Sequence, residues 1–228
     1  VLTSNFPSVT VCAETVRILF TNNSNGKLVD CNCPNDPYGG LAERVALIRE
    51  YRQYYSDFLL FDSGGFLGLS EIAKRGEAVF RLMDVMGYNA AGIGDQELYH
   101  GLGRYLIRYG DMSKNILNAT ILDKDGNAVF ERYRVFTVKG IRIGITGVTS
   151  SETFRFFPKD RKDFIAVNPD SVLALLIPMM RKECDYSIIL SQMGRENDIK
   201  LAERVPGIDC IIGGHSQTLL EKPLTAGG

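Results

Sequence analysis

Short apolar runs alternate with segments of helical periodicity along this chain, and that alternation constrains its fold more than any other feature. VRILF (16–20), DFLLFD (57–62), YNAAGIG (88–94), NILNAT (115–120), YSIIL (186–190) and DCIIGG (209–214) read as short buried strands. Between them, LAERVALIREYRQYY and SEIAKRGEAVFRLMDVMG carry apolar residues at helical spacing. Ser70 suits an N-cap of the second and Gly87 a C-cap. Residues 132–147, YRVFTVKGIRIGITGV, predict a β-hairpin turning at Lys139-Gly140. NPDSVLALL starts a further helix with Pro169 at its first position, and Pro178 is expected to bend or stop it. Strands and helices in alternation predict an α/β sheet covered by helices.

Length and charge narrow the function classes. With 228 residues, 45% of them hydrophobic, the chain can bury a core of its own, as one domain over residues 15–228. Its 26 basic and 27 acidic residues give a net charge of −1, which predicts no electrostatic affinity for nucleic acid or an anionic membrane. No apolar run reaches the ~18 residues that a membrane span needs. Residues 1–14 read either as the tail of a secretory signal, with small residues before Glu14, or as an N-terminal extension or edge strand.

In open α/β sheets, function gathers in the loops after the carboxyl ends of the strands. Those loops are TNNSNG (21–26), DSGGF (62–66), GDQELYH (94–100), SQMGREND (191–198) and GGHSQT (213–218), all rich in glycine and small polar residues. Taken in order, with GGLAER (39–44), they resemble the calcineurin-like metallophosphoesterases, and within them the secreted 5′-nucleotidase branch. That family reads T-N-D-x-H-G, G-G-x-A-R, D-x-G-D, G-N-H-E, L-S-H-x-G-x-x-x-D and G-G-H-S-H. The resemblance runs over about residues 15 to 220 and implies a four-layer αββα sandwich, two mixed β-sheets flanked by helices. It also implies a two-metal site at the strand ends and an extracytoplasmic, periplasmic-type location. The family's C-terminal substrate domain has no counterpart here, nor have the strands that close the sandwich after the last motif, so the domain is expected to lack them or to be completed by another chain.

The residues at the family's ligand positions differ. Asn23 stands where the resemblance puts an aspartate, Asn25 where it puts a histidine, and Gly65 where an aspartate bridges both metals. Asp95 replaces an asparagine, Gln96 the histidine that assists the phosphate chemistry, and Gln192 and Gln217 two ligand histidines; His215 alone is unchanged. A pair of cations held close together needs a carboxylate to offset their repulsion and imidazoles for affinity. Glycine offers no donor, and neutral amide oxygens are weak ligands for transition metals. The chain has two histidines in all, His100 and His215. The expectation is a degenerate centre without a cofactor, its amides bonded to one another across a wet cleft. The alternative is a divergent phosphoester hydrolase with one divalent metal ion on His215, Asp95 and amide oxygens. Glu97 and Asp198 match family positions that support the site, and structural hydrogen-bonding roles are expected for both.

A second feature is VDCNCPNDPYGG. Cys31 and Cys33, one residue apart, can close a strained and exchange-prone disulfide, pair with Cys12, or hold a soft metal with His215 as a further ligand. Pro34 and Pro37 stiffen this stretch, and Gly39-Gly40 open a helix whose N-terminus lowers a thiol's pKa or holds an anion. Thiol redox work with a partner protein is one reading of the domain, and a catalytically silent binding or assembly subunit is another. The remaining two of the five cysteines, Cys184 and Cys210, sit in apolar stretches as small core residues. The aromatic-rich segment 152–166 reads as a packed or partner-covered loop, and Tyr38 as a residue packed on the sheet or stacked on a ligand.

Overall fold

The computed structural model describes residues 14–29, 39–69, 73–159 and 162–226. Cys12, Cys31, Cys33, Tyr38 and the proposed N-cap Ser70 lie outside them. In chain order the elements are β1 (Arg17–Thr21), α1 (Leu41–Tyr54), β2 (Phe58–Asp62), α2 (Ala73–Met86), β3 (Ala90–Ala91), α3 (Asp95–Leu98), α4 (Leu102–Tyr109) and β4 (Ile121–Leu122). They continue with β5 (Tyr133–Val138), β6 (Ile141–Val148), β7 (Ile165–Ala166), α5 (Pro169–Met180), β8 (Tyr186–Ser191), α6 (Arg195–Arg204) and β9 (Cys210–Gly213).

The run FLLFD shows how the layers form. All five of its residues are buried, because both faces of β2 are covered. Phe58 and Leu60 join a core with Leu41 and Ile48 of α1 and Val79, Phe80 and Met83 of α2. Leu59 and Phe61 face the opposite way and meet Ile143, Ile145, Ile188, Leu190 and Ile212 of a second sheet. A third core lies beyond that sheet, where Leu173, Leu176 and Ile177 of α5 and Leu201 of α6 pack on Val148 and Ile189. Helices, sheet, sheet and helices therefore stack as the expected four layers. Each fully buried large side chain contributes about 1.5–3 kcal/mol.

The first sheet has the order β1-β2-β3, and its described strands are all parallel. The second, β5-β6-β8-β9, is mixed: β5 and β6 form the antiparallel hairpin, and β6, β8 and β9 run parallel. The hairpin turns at Lys139 (φ 52°) and Gly140 (φ 78°), the left-handed pair that a two-residue loop requires. Parallel strands in both sheets bring the site loops to one end of the sandwich.

Three local expectations fail for identifiable reasons. NILNAT forms isolated bridges, Ala91 with Ile116 and Leu117 with Glu131, instead of a ladder strand. The Asn118 side chain takes the backbone N–H groups of Thr120 and Ile121 at 2.8 Å each, so the chain turns there. Pro178 does not stop α5 at its own position: the helix runs two residues on to Met180. It sits in the last turn, so the one backbone bond it withholds lies at the end of the helix and interrupts no turn beyond it. Cys210 is exposed at the start of β9, an outer strand of its sheet, whereas Cys184 is buried as expected. The Pro169 start of α5 and the Gly87 cap hold. Asn168 Oδ1 caps α5 through the N–H groups of Asp170 and Ser171, with Pro169 following it. Gly87 (φ 70°) ends α2 while Tyr88 N–H reaches back to Met83 O at 3.2 Å.

Within segment 152–166, Phe154, Phe157 and Phe164 pack together while Phe156 is exposed. Phe154, Phe157 and Phe164 meet in edge-on pairs with centroids 4.7–5.6 Å apart. Asp163 caps α4 by accepting from Leu102 N (2.6 Å) and Gly103 N (2.7 Å).

Candidate functional site

The loops after β2, β8 and β9 meet the β1 loop at Asn23, and the loop after β3 meets it at Asn25. Its backbone N–H donates to Gly64 O at 2.9 Å, and its side-chain Oδ1 accepts from His215 N at 3.0 Å and Gln192 Nε2 at 3.3 Å. One carboxamide thus bridges the two sheets. Alongside it, Gln96 Nε2 donates to Asn25 Oδ1 at 2.7 Å, and Asn22 Nδ2 to Gly213 O at 3.1 Å. Asn23, Asn25, His215 and Gln217 all have φ between 48° and 67°. Of the described non-glycine residues only Lys139, at its hairpin turn, joins them, so left-handed backbone is concentrated at this site.

Gln192 is 1% exposed and sits in a cage of glycines. A Cβ added to Gly64 would lie 2.6 Å from its Cγ, one on Gly94 would lie 3.0 Å from its Oε1, and one on Gly214 would collide with its Nε2. Gly65 (φ 71°) is equally closed, since a Cβ there would stand 2.8 Å from Asn23 Oδ1. Of Asn23, Asn25, Asp95, Gln192, His215 and Gln217, the polar groups expected to satisfy one another, Asn23 meets Gln192 and His215, whereas Asn25 pairs with Gln96, a partner outside that expectation. Gln217 stands apart on an exposed stretch. Ser63, fully buried beside this cage, escaped notice in the sequence; the signal was the glycine on each flanking loop.

The acids around the site are buried. Glu97, 4% exposed, accepts from Leu67 N (2.8 Å), Gly94 N (2.9 Å) and Gly65 N (3.1 Å), tying the β2 and β3 loops together. Desolvation pushes its pKa up to about 7 against those bonds. Asp198 accepts from Ser191 Oγ, and burial pushes it up to about 6. Both carry the structural roles expected of them. A further group went unforeseen. Asp62, also pushed up to about 6 by burial, accepts from Thr21 Oγ1 at 2.6 Å. Thr21 meets Tyr88 OH at 2.7 Å, and Arg44 spans Ser24 and Tyr88. At the mouth, His215 Nδ1 lies 3.9 Å from Asp95 Oδ1. Burial raises the Asp95 carboxyl, with His215 opposing.

That mouth opens into a cleft of about 560 Å³ lined among others by Asp95, His215, Tyr99, Arg155, Phe156 and Arg195. Phe156 is 91% exposed there. Among the described residues no helix is long and apolar enough to cross a membrane.

Comparison with known proteins gives these loops a context. The chain matches no family model. It is 27% identical over 222 residues to a snake venom 5′-nucleotidase of Gloydius brevicauda, covering 90% of this chain and 35% of that protein. A solved 5′-nucleotidase precursor from Thermus thermophilus is 25% identical with a TM-score of 0.76, over 90% of this chain and 42% of that one. In sequence and fold the chain is similar to the calcineurin-like metallophosphoesterase superfamily. It is similar there to the N-terminal domain of 5′-nucleotidases. In fold it also resembles the sulfate thiohydrolase SoxB of Thermus thermophilus, with a TM-score of 0.82 at 20% identity over 93% of this chain and 50% of that one. It spans little more than a third of the curated relatives it matches.

Metallophosphoesterases use metal ions, and the side chains here do not suit a close pair of them. Asn23 Oδ1 already accepts two hydrogen bonds, Gln192 turns its nitrogen toward Asn23, and Gly65 has neither a donor nor room for one. Among the described residues no three His, Cys, Asp or Glu side chains form a group that could hold a metal ion.

Proposed function

We propose that this metallophosphoesterase domain has exchanged its paired-metal centre for a hydrogen-bonded amide cluster, and that its chemistry has moved to the Cys31–Cys33 pair. The single observation that carries the first half is Asn23 Oδ1, bound to Gln192 from one loop and His215 from another. A metal ion at that oxygen would have to displace both donors and bind a neutral amide in return. The second half rests on sequence alone: two thiols one residue apart precede α1, whose Arg44 reaches back to Ser24 of the first loop. In that role the two thiols give up two electrons and two protons to a disulfide of a partner protein, which leaves as a dithiol. An extracytoplasmic location is part of this reading, in keeping with a relative from venom.

Metal analysis of protein purified without chelators, with turnover of a general phosphoester and titration of Cys31 and Cys33, tests both halves. Expected are no stoichiometric metal, no ester cleavage and one readily oxidised thiol pair. Two bound ions with brisk cleavage would remove the first half; thiols that never pair would remove the second. A binding or assembly module is the competing reading, favoured by the exposed Phe156 at the cleft mouth. Its signature is capture of a partner lost on Phe156→Ala while the thiols stay intact.

A further inference from the structure

Asn25 and Gly26 occupy the centre of a tight turn in which Lys27 N–H donates to Ser24 O at 3.0 Å. With φ of 52° and 67° they adopt the left-handed pair of a type I′ turn, and Asn-Gly is the sequence such a turn selects. Asn-Gly also carries a chemical liability, because glycine has no side chain to shield the asparagine amide from the next backbone nitrogen. Gly26 N attacks Asn25 Cγ, the Cγ–Nδ2 bond breaks, and Nδ2 leaves as ammonia with the proton that Gly26 N gives up. Water then opens the five-membered imide at either carbonyl, leaving aspartate or isoaspartate; nothing is oxidised or reduced.

The folded chain restrains each participant. Gly26 N–H, the nucleophile, donates to Phe66 O at 2.9 Å. Asn25 N–H donates to Gly65 O at 2.8 Å, and the electrophilic amide is held through Oδ1 by Gln96 Nε2 at 2.7 Å. Gly26 is also pressed against the β2 loop, where a Cβ would come within 2.9 Å of Gly68 N. The bonds on Gly26 N–H and on Asn25 Oδ1 must open before nitrogen and carbon can meet, and the Asn25 N–H bond holds the turn against that movement.

We propose that Asn25 is a site of spontaneous deamidation that the native fold keeps closed, with Gln96 as one of its clamps. Opening of the clamp replaces a neutral amide with a carboxylate on the loop that faces Asp95, Gln96 and Glu97. The aspartate product keeps an acceptor for Gln96. The isoaspartate product lengthens the backbone by one carbon and loses the turn. This inference does not depend on whether the cleft binds metal or Cys31 and Cys33 exchange disulfides.

The test is a time course at mildly alkaline pH on folded protein, urea-unfolded protein and a free peptide of sequence ILFTNNSNGK, the tryptic fragment 18–27. Peptide mass mapping scores Asn25, with Asn22 and Asn23 as internal references. Unfolded protein and peptide are expected to deamidate at Asn25 at the same rate, and folded protein at least about tenfold more slowly. Folded Gln96→Ala should lie between them. Equal rates in folded protein and peptide, an intact Asn25 in urea, or an unchanged rate in folded Gln96→Ala would overturn the proposal. Should that variant fail to fold, the wild-type comparison decides.

Discussion

At the scale of the residue, Asn23 is the place to weigh the amide cluster. Asn23→Ala removes the acceptor for both Gln192 and His215 and leaves a buried donor unmatched, which costs about 1–3 kcal/mol. At roughly 2–4 °C per kcal/mol for a chain of this size, thermal unfolding should show a fall of several degrees. Asn23→Asp keeps an oxygen facing both donors and should fall less. Gly65→Asp behaves differently. Its backbone has φ 71° and its new Cβ would stand 2.8 Å from Asn23 Oδ1, so it is expected to lose more than about 1 kcal/mol of stability and to gain no manganese or zinc binding by calorimetry.

At the scale of the element, what could be read from the sequence depended on how local its cause was. FLLFD, the Lys139-Gly140 hairpin and the Asn168-Pro169 start of α5 follow from nearest neighbours, and all three stand as expected. NILNAT misled because one buried side chain, Asn118, outcompeted the ladder for two backbone donors. The start of α4 was hidden because its cap, Asp163, comes from a distant segment. Pro178 offers a test of the same reasoning. Exposed in the last turn of α5, it withholds one N–H, and Pro178→Ala should raise the unfolding temperature by the equivalent of about 1 kcal/mol or less. A clear loss would mean the proline's rigidity outweighs the missing bond.

At the scale of the molecule, the buried acids set how stability responds to pH. Folding raises Asp62 and Asp198 from 3.8 to about 6, and Glu97 from 4.5 to about 7. A raised carboxyl binds its proton more tightly in the folded chain than in the unfolded one. Its contribution is complete below the unfolded value and is lost as pH climbs through the folded value. The urea midpoint should therefore decline between about pH 4 and 7, and Asp62→Asn should flatten that decline. The site itself was partly legible: five loops and the GGLAER stretch named the positions, and the amides of Asn23, Asn25, Gln96 and Gln192 could be read there directly. What stayed invisible was which amide would meet which, because Asn23, Gln192 and His215 come together only once both sheets are stacked.

The glycine cage around Gln192 has a consequence for the substitutions open to this chain. An imidazole at that position would have to fit a slot shaped by Gly64, Gly94 and Gly214, and an acid at Gly65 must wait until Asn23 has moved aside. A single substitution that puts an imidazole or an acid into this cage is expected to give a poorer folder, so ligand-type side chains can enter here only in concert with their neighbours.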